Sequence, residues 1–481
     1  MKVLLAPAGT RGDVAPLVAL GVGLRARGHE VLVLAPTGMD AFVAANGLDV
    51  ATGGMDITEL LIAHRHELHR PIAVVRVLVE GARAELEAQI SGLEARVADF
   101  DLVVGAGVQI AASSVAAAFG VPYRTVLYTP TALPGPSTAP FWLPWRGGPR
   151  WLNRALHLLP DRILGTVALG RLQRWRAVHG LPPELQPLYA LIGSHPLLAT
   201  HPLLAPAPTD GWPIATQLGW LRPPCEPALD PALLAFLDDG PPPLYLGYGS
   251  MVDADAAGTI ALVAALCRGA GVRAIVCRGW SATVPVPDVP GLLVIDGAPH
   301  GRLLPRCACA IHHGGAGTTH AAASAGIPQL VVPHLLDQFE WGYRVAQLGL
   351  GPAPLRRRAL NLKSLSTAVQ LMLHDAAMRA RAAEVGVALR ADDGVGRGVD
   401  ELERFVAAWH ATAPLARCIW SPSRPIVAKR PKPRGLPDAL ALPPLPPRPT
   451  LWPLVLAALL LLAALLAAAY STAANVALAL K

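Results

Sequence analysis

The stretch IHHGGAGTTHAAASAGIPQLVVPHLLDQFEWGYRVAQLGLGP, Ile311 to Pro352, reads as a buried strand, a glycine turn, a helix of small residues, a second strand and a polar loop. The apolar run Cys307 to Ile311 suits a strand covered on both faces. His312 to Thr319 form the turn, where glycines let the backbone approach a ligand closely. A helix beginning near Ala316 aims free N–H groups and its positive end at that turn, which is where a diphosphate belongs. The second strand, Gln329 to Pro333, leads to a loop holding Asp337 and Gln338. That pair sits at the carboxyl ends of parallel strands, where open α/β sheets bind ligands. A carboxylate beside a carboxamide suits a ring of hydroxyls.

In that order, HHGGAGTT, AGIPQLVVP and DQFEWGYRVAQLGLGP resemble the donor-site signature of the inverting nucleotide-sugar glycosyltransferases of family 1. The resemblance is to the branch of sterol 3β-glucosyltransferases and of bacterial enzymes that glycosylate macrolides and vancomycin-type aglycones. It implies an α/β GT-B fold, two Rossmann-like domains facing across a cleft. It also implies that His313 donates to the diphosphate, that Gly315, Gly317 and Thr318 cradle it, and that Asp337 and Gln338 bind sugar hydroxyls. Taken alone, a histidine after a strand reads equally as a packed or capping residue, and an Asp-Gln pair as a solvated loop. His312 receives no role, and Trp341 reads as packing.

At the N-terminus, Lys2 to Pro7 is a buried strand, Ala8 to Asp13 a turn, Val14 to about Arg27 a helix stopped by Gly28, and His29 to Pro36 the next strand. This βαβ opening puts its first turn at the ligand edge of the sheet. GTRGDVAPLVALGVGLRARGHEV resembles the N-terminus of the same branch. The resemblance implies that Asp13 is the catalytic base, with Thr10 near the sugar and Arg11 near the diphosphate. On position alone Asp13 reads as a helix N-cap, a role compatible with catalysis.

Pro243 to Met251 predicts a strand whose following turn points the Ser250 hydroxyl at phosphate, a turn or capping serine being the alternative. After two further strands, the resemblance implies that backbone around Ala298 holds the nucleotide base; the stacking tryptophan of plant relatives is absent here. His64, His66 and His69 cluster in a partly amphipathic region but cannot share one helical face, so a wall of the acceptor pocket is expected rather than a metal site. Trp142 and Trp145, in a Pro- and Gly-rich loop, would pack either on a flat aglycone or on the protein itself. No acidic pair stands where a metal-dependent transferase needs one. No metal and no cofactor is therefore expected beyond the nucleotide-sugar co-substrate.

Six cysteines without a CxxC fit a reduced compartment, and no signal peptide opens the chain. Eight basic residues and one acid lie beyond residue 412, so the tail carries the whole formal charge of +7. A neutral body argues against a nucleic-acid partner. Leu451 to Tyr470 is an uncharged apolar run long enough to span a bilayer, a buried or surface helix being the alternative. Basic residues precede it, so the positive-inside rule keeps the body on the cytoplasmic side. The expected organisation is an acceptor-binding domain over 1–215 and a nucleotide-sugar domain over 216–395. A helix returning to the first domain over 396–411, a Pro/basic linker over 412–449 and a transmembrane tail anchor over 450–475 follow.

The expected function is metal-independent, inverting transfer of a hexose, glucose from UDP-glucose, onto a hydroxyl of a lipophilic acceptor such as a sterol or other membrane lipid. Two alternatives stand beside it. One is a TDP- or UDP-sugar transferase acting on a polyketide or phenolic aglycone. The other is a non-catalytic, membrane-tethered scaffold on the same fold.

Overall fold

Short apolar runs become parallel strands, and the strands sort into two sheets. The computed structural model describes residues 1–56, 71–140, 148–157, 170–183, 192–223, 226–249, 255–279, 285–334 and 336–412, all within one compact unit. In the first sheet lie β1 (Lys2–Ala8), β2 (Glu30–Pro36), β3 (Asp49–Gly54), β4 (Leu102–Gly107), β5 (Tyr123–Leu127), β6 (Leu197–Leu198) and β7 (Thr216–Gln217). Their order is β3-β2-β1-β4-β5-β6-β7. The second sheet holds β8 (Leu244–Gly247), β9 (Ala274–Cys277), β10 (Leu292–Ile295), β11 (Cys309–His312) and β12 (Gln329–Val331), ordered β10-β9-β8-β11-β12. In both sheets the order reverses at one place, between β1 and β4 and between β8 and β11. Such reversals open a crevice at the strands' carboxyl ends.

Helices cover the sheets: α1 (Arg11–Ala26), α2 (Asp40–Ala45), α3 (Pro71–Glu94), α4 (Ala112–Phe119), α5 (Gly170–Val178), α6 (Pro231–Asp238) and α7 (Ala256–Ala270). They continue with α8 (His300–Leu303), α9 (Ala316–Ala325), α10 (Gln338–Gln347), α11 (Leu362–His374), α12 (Ala376–Arg390) and α13 (Gly394–Thr412). α1 buries Val14, Leu17, Val18, Leu20 and Leu24 against the first sheet. α13 adds Val399, Leu402 and Val406 to the same core, so the last helix belongs to the first sheet's packing. Each such side chain removed from water contributes about 1.5–3 kcal/mol. Polar contacts pin α13 there too. The Arg124 guanidinium, 3 % exposed, meets Glu401 at 3.0 Å, and Glu403 reaches Arg27 and His29 at 3.1 and 2.8 Å.

Several expectations shift. α1 starts at Arg11 rather than Val14, because Thr10 caps it and Asp13 closes the capping box. Asp13 is therefore the third helical residue and not the N-cap. Cys307 follows a short 3-10 turn outside β11, and only Cys309 lies in the strand, both as buried free thiols. The first sheet runs on through Gln217, past the boundary expected at 215. Asp375 separates two helices here, ending α11 and capping α12 through the Met378 N–H. No described helix is long and apolar enough to cross a membrane. The predicted linker beyond Thr412 and the span over 450–475 lie outside the described residues.

Candidate active site

The turn after β1 carries Asp13 into the first crevice. Asp13 Oδ2 accepts from the Thr10 N–H at 2.8 Å and from the Thr10 hydroxyl at 3.2 Å. Oδ1 accepts no hydrogen bond from another of the described residues. The carboxylate needs room that only glycine leaves. A methyl on Gly9 (φ +133°) would strike it, and one on Gly107 (φ +68°) would meet both Oδ1 and the Ala8 carbonyl. The Tyr128 hydroxyl, from the end of β5, donates to the Asp13 backbone carbonyl at 2.7 Å and pins the first turn of α1. Burial raises the Asp13 pKa to about 6, against the pull of the Thr10 hydrogen bonds. A half-buried carboxylate with one oxygen tied and one free, titrating near neutrality, has the form of a general base.

Beside it, the loop after β4 is held from below. Gln89, fully buried on α3, donates to the Val108 carbonyl at 2.9 Å and accepts from the Ile110 N–H at 2.8 Å. Glu85 orients Gln89 at 2.8 Å and takes the Met55 N–H at 2.7 Å. Val108, half exposed, stands at the rim of this crevice.

On the second sheet, β11 ends in His312 and His313. His312 is structural. Its Nδ1 accepts from the Gly314 N–H at 3.1 Å and its Nε2 faces Gln329 Oε1 at 2.8 Å, which fixes the turn. His313 is 8 % exposed, and its Nδ1 is buried without a partner among the described residues. Burial, reinforced by the neighbouring histidines, lowers its pKa to about 3, so the ring is neutral and carries a single N–H to offer a ligand. Gly315 is glycine for a spatial reason, since a methyl there would run into the His313 ring. Gly315 also caps α9 without a side chain, so the N–H groups of Ala316, Gly317 and Thr318 stay open at the positive helix end. Gly317 is exposed and Thr318 half-buried beside them. This is a cradle for an anion.

The loop after β12 brings Asp337 and Gln338. Asp337 Oδ2 accepts from the Trp341 indole N–H at 3.0 Å, and Gln338 Oε1 accepts from the His334 N–H at 2.8 Å. Burial raises the Asp337 pKa to about 6, and the Asp13 charge adds to the rise. The two carboxylates therefore sense each other from opposite sheets. Arg11, stacked over Phe42 at 4.6 Å, likewise helps burial lower the pKa of His300 to about 4. His300 shares a 2.9 Å hydrogen bond with the Tyr245 hydroxyl at the start of α8, next to Ala298 after β10.

Thr10, Arg11 and Asp13 thus follow β1 at the carboxyl edge of the first sheet, while His313, Gly315, Gly317, Thr318, Asp337, Gln338 and Ala298 follow strands of the second. Ser250, Trp142, Trp145, His64, His66 and His69 lie outside the described residues. Sequence reasoning misses Tyr128 and Gln89 as site groups because each acts through a contact between separate elements, and it takes Trp341 for packing although its indole N–H lies one helical turn from Asp337.

Residues 3–118 match the glycosyltransferase family 28 N-terminal domain, and residues 275–393 the erythromycin biosynthesis protein CIII-like C-terminal domain. The chain is 35 % identical to the vancomycin aglycone glucosyltransferase of Amycolatopsis orientalis, over 73 % of this chain and 86 % of that protein. It is 29 % identical to a sterol 3-beta-glucosyltransferase of Arabidopsis thaliana, over 84 % of this chain and 68 % of that protein. The glycosyltransferase VinC, solved with dTDP, has the same fold at a TM-score of 0.59 and 21 % identity, covering 85 % of this chain and 100 % of that one.

Proposed function

The chain belongs to the family 1 glycosyltransferases of GT-B fold, and from that premise we propose that it moves a hexose, glucose from UDP-glucose, onto a hydroxyl of a lipophilic acceptor with inversion. It is a hexosyltransferase that uses a nucleotide sugar as co-substrate. The observation that carries the finer reading is Asp13, tied at Oδ2, open at Oδ1 and facing Asp337 across the cleft.

In this reading Asp13 Oδ1 takes the proton of the acceptor hydroxyl as its oxygen attacks the anomeric carbon. The bond to the diphosphate breaks on the opposite face. The leaving charge is met by the open N–H groups of α9, the His313 N–H, the Thr318 and Ser250 hydroxyls and the Arg11 guanidinium. Asp337 and Gln338 hold the hexose hydroxyls, with Thr10 beside them, and backbone near Ala298 holds the base. Leu451 to Tyr470 tethers the chain to a membrane, with the catalytic body on the cytoplasmic side, which supports a sterol or another membrane lipid as acceptor. A polyketide or phenolic aglycone with a TDP-sugar is the second reading, favoured by the aglycone-glycosylating relative.

The test is a mass-spectrometric screen of membrane lipid extract and aglycone mixtures, with UDP-glucose and TDP-glucose in parallel. A hexose added to a lipid from UDP-glucose, and lost in Asp13→Asn, is expected. Transfer only to soluble aglycones from TDP-glucose would replace the first reading by the second.

A further inference from the structure

The two sheets meet along a seam behind the cleft, where the chain crosses from one to the other twice. The Trp220 N–H donates to Asp392 Oδ2 at 3.2 Å, and Arg222 to the Leu389 carbonyl at 2.7 Å, so the outward and return crossings lie side by side. Next to them, the loop after β6 leaves the first sheet. It buries Leu204 and Ala205 among Ala323, Val331, Trp341 and Val345 of the second domain.

His320, on α9 and 1 % exposed, stands in this seam. The His201 backbone N–H, on the loop after β6, points at its Nε2 across 3.1 Å. A backbone N–H only donates, so Nε2 accepts and the ring proton sits on Nδ1, 2.8 Å from the Ala316 carbonyl. Both nitrogens are committed in a neutral ring. The faces are occupied as well, with Trp220 stacked at 5.9 Å and Trp341 edge-on at 5.2 Å. These contacts lead to the donor site by two routes. Ala316 opens the helix turn that faces the diphosphate, and Trp341 holds Asp337.

We propose that His320 is a positioning residue that couples the seam between the domains to the donor site, so that nucleotide binding and the seating of the loop at 199–205 stabilise each other. A leucine would fill the same volume, but it would leave the His201 N–H buried and unpaired. An effect of the nucleotide on the loop must have an equal counterpart, the loop's effect on nucleotide affinity. The proposal rests on the diphosphate reading of the α9 N-terminus.

The experiment is hydrogen exchange on the full-length chain with and without UDP, and with TDP as a second arm, in wild type, His320→Leu and His320→Gln. In wild type, nucleotide is expected to slow exchange both at 313–319 and at 199–205. In His320→Leu the first protection persists, the second disappears and the nucleotide Kd rises about 10-fold. His320→Gln, whose carboxamide can accept from the His201 N–H, restores part of both. Protection at 313–319 without protection at 199–205 in wild type overturns the coupling and leaves the diphosphate reading intact. So does equal protection of the loop in wild type and His320→Leu. Absence of protection at 313–319 in wild type overturns the diphosphate reading, and the coupling with it. Should His320→Leu fail to fold, the wild-type exchange with and without UDP decides by itself, protection at both segments supporting the coupling and protection at 313–319 alone overturning it.

Discussion

The Trp341 indole N–H donates to Asp337 Oδ2 across 3.0 Å, one helical turn apart, from a ring that is 1 % exposed. The tryptophan thereby aims a carboxylate in the cleft while its ring packs the domain seam. Trp341→Phe keeps most of the apolar volume and removes the donor. The nucleotide-sugar KM should rise about 10-fold, the order of one charge-assisted hydrogen bond. Affinity for UDP, which lacks the sugar, should stay unchanged by calorimetry. An equal loss for both ligands would mean that Trp341 supports the whole site rather than the sugar contact.

Asp13→Asn should lower transfer by about 10²–10⁴-fold. Wild-type kcat/KM for the acceptor should rise with pH to a plateau, half-maximal near pH 6, because the base must be ionised. The stability effect has the opposite sense. The folded carboxyl binds its proton more tightly than the unfolded one, so stability falls as pH climbs from 3.8 to about 6 and stays lower above that. Asp13→Asn should therefore raise Tm at pH 8 by about 2–4 °C and add nothing at pH 4. A variant less stable than wild type at pH 8 would mean that the capping bond to Thr10 outweighs the burial of charge.

Tyr128→Phe removes only the hydroxyl that pins the Asp13 carbonyl. A fall in kcat of about 5–10-fold is expected at unchanged donor KM, with Tm lowered by no more than the roughly 1 kcal/mol of one hydrogen bond. A raised donor KM with normal kcat would exclude a role in holding the base.

Gly315→Ala should displace the His313 ring, since the new methyl occupies its space, while the backbone there (φ −64°) accepts any residue. Donor KM should rise at least about 10-fold, by analogy with the loss of one oriented donor. A crystal structure of the variant with His313 unmoved and UDP bound normally would refute this.

Glu401→Gln leaves the Arg124 guanidinium, 3 % exposed, without its carboxylate and should destabilise by about 3–5 kcal/mol. The measurement is the urea midpoint. An unchanged midpoint would show that α13 is held by its apolar face alone.

Local pattern was enough for much of this molecule. HHGGAGTT and the DQ pair mark crevice loops because glycine and polar residues interrupt apolar runs at strand ends. The pattern places the start of α1 too late, at Val14, because Arg11 and Gly12 resemble loop. The Thr10-to-Asp13 spacing of a capping box was already present and is the better signal. Tyr128 could not be read, since it reaches Asp13 only because β5 lies next to β4 and β4 next to β1. His320 looks like one more residue of a small-residue helix, and its partner His201 is 119 positions earlier. Long-range pairings of that kind leave no periodicity behind.

Asp13 closes the capping box of α1 as well as standing ready for an acceptor. A proton arriving on it therefore does more than end a bond-forming step. It cancels the charge set against the amide-rich origin of the helix, yet burial favours the neutral form, so the spent enzyme clings to that proton and depends on solvent above about pH 6 to strip it before the next alcohol arrives.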